Sequence, residues 1–141
     1  DGEFGLVQPP PEECHPAGTD GAENGGERIG EPFNTTIAVV ATDAPLDQTQ
    51  AKRMAMVANT GLARAIKPVH GLRDGDLIFA VATTPPDRTL SLSDLDAIYN
   101  AGADALGRAV VHALLNAGTA GEFTAYCDRY PSACRNRKST R

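Results

Sequence analysis

The sequence predicts a layered α/β fold, and three observations carry that prediction. Two short runs, Ile37-Ala38-Val39-Val40-Ala41 and Leu77-Ile78-Phe79-Ala80-Val81, are apolar at every position, the pattern of strands inside a sheet rather than at its edge. A stretch with apolar residues at helical spacing follows each run. Pro, Gly and Asp separate the four segments as turns. The order strand, helix, strand, helix means layers of helix on sheet. Two strands are too few to be covered on both faces by themselves, so this half needs a partner that supplies more sheet.

Composition bounds the remaining possibilities. The chain has 141 residues, enough for one domain with a modest core. It opens at Asp1 rather than Met, the expectation for a fragment or a trimmed product. The formal charge of -5 argues against nucleic acid or an acidic membrane as the main partner. No apolar stretch reaches bilayer-spanning length. Three cysteines, Cys14, Cys127 and Cys134, do not make a secreted disulfide framework, which points to a reducing cytoplasm.

Taken in order, residues 1–33 are dominated by Pro, Gly, Glu and Ala and predict a disordered linker. Thr36 to Thr42 predicts a strand buried on both faces, the first element of a catalytic region spanning 34–118. Asp47 with Gln50 reads as a capping box, opening a helix whose stripe is Ala51, Met54, Ala55, Ala58, Gly61, Leu62 and Ala65 and which Pro68 ends. Leu77 to Thr83 predicts the second buried strand. Ser93 with Asp96 is expected to cap the last helix, with Leu95, Ile98, Gly102, Ala105, Leu106, Ala109 and Ala113 facing a sheet and Gly118 as its stop. Residues 119–141 are a basic tail, expected to form a short helix before losing order.

The candidate chemistry lies at the abrupt boundary "PFNTTIAVV". If the Asn34–Thr35 bond is broken, Thr35 carries a hydroxyl nucleophile and a free α-amine on one residue. An α-amine has a pKa of about 8, so near that pH it can serve as the base for its own hydroxyl. The same hydroxyl can attack the preceding carbonyl, and the resulting ester is opened by water. Asn34-Thr35-Thr36 is also a glycosylation sequon, and a Thr at a strand start is commonly structural. A second candidate is "RDGDLIF": if extended, Asp74 and Asp76 face the same side, where two acids can share a proton and orient an amine. The competing reading of Asp74-Gly75 is a plain turn. Cys14-His15 falls short of a metal site, and Cys127 with Cys134 could bridge but reads rather as two free thiols of a reducing cell. His70 reads as a solvated loop residue or a support for the acids, and His112 as a satisfied helix histidine.

Together, "NTTIAVVATDAPL", "MVANTGLARAIKPVH" and "DGDLIFAVAT" resemble the smaller subunit of the P1-type peptidases, over about residues 32–118. That group holds the L-aminopeptidase/D-esterases, the β-peptidyl aminopeptidases and the nylon-oligomer endo-hydrolase. The resemblance implies an αββα sandwich of which only the C-terminal part is present. It implies a precursor that cuts itself at Asn34-Thr35 into two subunits that stay together. Thr35 is then the nucleophile, and Asp74 and Asp76 match the acids of the nylon-hydrolase branch. The implied partners are the upstream large subunit, a small amide or peptide substrate and further copies in a homo-oligomer; no cofactor is implied. The ornithine acetyltransferases share this architecture and self-cleavage at Thr. Their Asp-Gly-Asp runs on into polar residues, whereas here Leu77-Ile78-Phe79 follows. A third expectation is a non-catalytic α/β module that binds partners through its acidic and basic arms.

Overall fold

The computed structural model describes residues 6–13, 35–72, 74–121 and 123–135. Asn34 and the Cys14-His15 pair lie outside the described residues. The architecture is mixed α/β: β1 (Ile37–Thr42), α1 (Gln48–Ala65), β2 (Leu77–Ala82), α2 (Leu92–Asn116), α3 (Tyr126–Arg129) and α4 (Pro131–Cys134). β1 and β2 pair in parallel, in register from Ile37 opposite Leu77 to Thr42 opposite Ala82. A parallel pair needs a crossover, and α1 supplies it. The chain divides into two compact units: Glu31–His112, and Asp1–Gly30 together with Ala113–Arg141.

α1 starts where its capping residues put it. The Asp47 carboxylate accepts the Gln50 N–H at 2.8 Å, and the Gln50 side-chain carbonyl accepts the Asp47 N–H at 3.0 Å. Its buried stripe is Met54, Ala58, Gly61 and Leu62. The stripe packs with Val40, Ile78 and Leu106 in one apolar core. α1 ends at Ala65, three residues before Pro68.

α2 begins two residues earlier than expected, and its expected inward stripe holds at Leu95, Ile98, Gly102 and Leu106 but not at its alanines. Ser91, not Ser93, caps it: the Ser91 hydroxyl accepts the Asp94 N–H at 3.1 Å, and Asp94 accepts the Ser91 N–H at 3.3 Å. Leu90, just ahead of the cap, is buried in the core that Leu95 also joins, which anchors the chain at that point. Ala103 and Leu106 are buried, whereas Ala105, Ala109 and Ala113, expected in the stripe, are exposed. The small residues serve a helix contact instead of a sheet contact. A Cβ on Gly61 would lie 1.9 Å from the Ala103 carbonyl oxygen, so Gly61 is what lets α1 approach α2 this closely.

Among the described residues the strands are covered on one face only, contrary to the expectation of double burial. Ala38, Val40, Ile78 and Ala80 belong to the core beneath α1. Ile37, Val39 and Phe79, alternating with them, keep 69%, 61% and 50% of their surface open. Leu77 and Val81 complete that bare apolar face. The sequence pattern is right for burial, but these residues bring no second layer.

The other unit corrects the reading of the cysteines. Cys127 and Cys134 form a disulfide, with Cα atoms 5.6 Å apart, rather than two free thiols. Two four-residue helices bring them together, because Pro131 restarts a turn directly after Arg129 and Tyr130. In the same unit Val7 N–H donates to the Ala133 carbonyl at 3.4 Å and the Ser132 hydroxyl donates to Glu13 at 2.8 Å. Among the described residues, no helix is long and apolar enough to cross a membrane.

Candidate active site

Parallel strands place their N-terminal ends side by side, so Thr35-Thr36 ahead of β1 meets Asp74-Gly75-Asp76 ahead of β2. The meeting is built on Thr36. Its N–H donates to Asp76 Oδ1 at 2.8 Å, and its carbonyl accepts the Leu77 N–H at 2.9 Å. Both backbone groups of Thr36 are therefore fastened to β2, and Thr35 is the first residue beyond that anchor. Thr35 is exposed. A Cβ built on Gly75 would lie 2.9 Å from Thr35 Oγ1, so the hydroxyl occupies the space that any side chain at position 75 would take.

The two acids have different work. Asp74 closes the loop behind the site: its carboxylate accepts the Gly71 N–H at 2.5 Å, and its own N–H donates to the Gly71 carbonyl at 3.0 Å. Here the turn reading of Asp74 holds in the geometry. Asp76 reaches across to the other strand, and its side chain is only 6% exposed. Burial pushes its carboxyl up, but the Thr36 N–H, the His70 side chain, the Thr36 hydroxyl and the His70 main-chain N–H outweigh that and hold it below its ordinary value of 3.8. Asp76 is thus an ionised acceptor across the neutral range.

His70 is the member that sequence reasoning set aside as a solvated loop residue. Its Nδ1 lies 2.8 Å from Asp76 Oδ2, while 44% of the side chain stays exposed. Its backbone sits at φ +56°, in the left-handed region that non-glycine residues seldom enter. The available signal was its place six residues before Asp76, in a loop too short to carry it far away. His112 lies half-buried on α2, where it lines an open groove of about 510 Å³ with Arg108 and Asp104. Among the described residues, no three His, Cys, Asp or Glu side chains gather in a metal-binding group.

A mixed α/β unit with a hydroxyl, a carboxylate and an imidazole at the mouth of two parallel strands defines the class of site. Sequence comparison supplies the family. Residues 11–126 match peptidase family S58, and the chain belongs to that family. Uncharacterized aminopeptidases of Mycobacterium bovis and Mycobacterium tuberculosis are each 39% identical to it over 142 residues, covering 94% of this chain. An uncharacterized aminopeptidase of Mycobacterium leprae is 37% identical over 144 residues, covering 93% of this chain. The chain spans 41% and 37% of the length of these curated relatives.

Proposed function

We propose that this chain carries the catalytic strand end of a self-cleaving amide hydrolase of the aminopeptidase type, with Thr35 as nucleophile. The observation that carries the reading is the double fastening of Thr36 to Asp76 and Leu77, which leaves Thr35, with its hydroxyl over Gly75, as the first residue beyond that anchor. Membership of a peptidase family and relatives named aminopeptidases support the same reading.

In the precursor, Thr35 Oγ attacks the Asn34 carbonyl carbon and the C–N bond opens. The acyl group passes from nitrogen to oxygen, and the nitrogen becomes the Thr35 α-amine. Water then cleaves the ester, leaving the Asn34 carboxylate and a free Thr35. In turnover the amine takes the proton of Oγ as the hydroxyl attacks a substrate amide, gives it to the substrate nitrogen as the C–N bond breaks and the free amine leaves, and water opens the resulting ester to the acid and the free hydroxyl. Asp76 holds the strand carrying this residue, and Asp74 holds the loop carrying Asp76.

The partner in this reading is the upstream large subunit of the same precursor. It lays further sheet and helix on the open side of β1 and β2, giving an αββα sandwich, and it completes the pocket. The processed pairs assemble into a homo-oligomer. The substrate is a small amide or peptide. N-terminal sequencing of the processed full-length protein tests the reading: the smaller chain begins at Thr35. A smaller chain that begins elsewhere removes Thr35 from its role. Thr35→Ala leaves one uncut chain, whereas Thr35→Ser, which keeps hydroxyl and amine, still cuts.

A further inference from the structure

We infer that His70 is a positioning residue for the nucleophile, acting through Asp76 on the backbone of Thr36. This rests on the proposed role of Thr35. The two oxygens of Asp76 are divided between two elements: Oδ1 takes the Thr36 N–H at 2.8 Å, and Oδ2 faces His70 Nδ1 at 2.8 Å. A carboxylate rotates about its last bond, and one donor does not stop that rotation. Two donors on opposite oxygens do. The carboxylate is nearly closed off from water, so protein donors must satisfy it.

The backbone of His70 agrees with this role. A left-handed conformation at a non-glycine residue persists where its surroundings hold it there, and the bonds to Asp76 are such a hold. Because ionised Asp76 only accepts, His70 Nδ1 must donate. That fixes the ring orientation. The chain of contacts runs from the 66–76 loop through one carboxylate to the residue next to the nucleophile.

Two substitutions in the full-length precursor separate the side-chain donor from the backbone shape. Glycine accepts φ +56° and lacks the donor; asparagine tolerates the left-handed region and places an N–H near the position of Nδ1. Self-cleavage of His70→Gly is expected to be slower by about tenfold, the scale of one hydrogen bond to a charged group. His70→Asn is expected to return the rate to within about threefold of the parent. Amide hydrogen exchange on the same proteins gives a second readout: in His70→Gly the Thr36 amide exchanges faster while the Val40 amide, deeper in the strand, does not. Parental cleavage by His70→Gly, no rescue by His70→Asn, or equal acceleration at Thr36 and Val40 would each overturn the inference. A parent that does not cut between Asn34 and Thr35 overturns the reading of Thr35 itself and this inference with it.

Discussion

The two faces of the β1–β2 sheet are made of nearly the same residue types and have opposite fates. Val40 and Ile78 are buried beneath α1, and Val39 and Phe79, each one position away, are at least half exposed. Strand geometry points successive side chains to opposite faces, so a run that is apolar at every position builds two apolar faces at once. Burial then requires an element to lie on each. α1 serves one face, and the described residues bring nothing to the other. The difference teaches that hydrophobicity states what a face needs, whereas topology decides whether a given stretch of chain can supply it.

The largest test of this comparison is Phe79→Ala. In the 141-residue chain its cost should be about 0.5 kcal/mol or less, because the ring is half open already. In the full precursor, where the proposed large subunit covers it, the cost should rise to about 3–5 kcal/mol. Urea unfolding of both proteins measures the two values, and equal costs would break the idea that the face is covered. Leu62→Ala is the counterpart on the covered face. Leu62 is fully buried between α1 and the sheet, so its loss should cost about 2–5 kcal/mol in either protein. A value that changes strongly between them would mean that the α1 core depends on the proposed large subunit too.

Where the strands begin, the comparison turns from packing to chemistry. Gly75→Ala adds a Cβ that meets the Thr35 hydroxyl at 2.9 Å, and Thr35 is exposed enough to give way. Stability should therefore change by about 1 kcal/mol or less, while self-cleavage falls by about tenfold or more as the nucleophile is turned from its position. Unchanged cleavage would show that the hydroxyl can act from another rotamer. The smallest expected effect is on acid stability. Asp76 is held below 3.8 in the folded chain, so its contribution is complete above that pH and is lost as pH falls further, through its lowered folded value. Asp76→Asn should be less stable than the parent near neutrality, and the gap should narrow only below pH 3.8. A gap that closes at higher pH would mean the carboxyl is not held down.

What the sequence by itself determined was local. The Asp47–Gln50 capping box, the α1 stripe and the two apolar strands rest on bonds and spacings within a few residues, so residue identity is nearly sufficient to read them. The choice between Ser91 and Ser93 as the α2 cap was not local, because burial of Leu90 in a core shared with α1 decided it. The α2 stripe held at Leu95, Ile98, Gly102 and Leu106 and missed at its alanines, for a related reason. Alanine suits exposed and buried helix positions alike, so Ala105 and Ala109 carried no information about which side would face α1. The Cys127–Cys134 bond depended on two short helices folding back at Pro131. The site was legible only in part. Thr35 and the Asp-Gly-Asp run stood out as residue types, but the link between them spans forty residues from Thr36 to Asp76. The Asp74 turn is a local contact that the sequence already offered, whereas tertiary structure alone decided that Asp76 crosses to Thr36. Pairing two strands side by side sets the distance from Thr36 to Asp76, and no spacing along the chain encodes it.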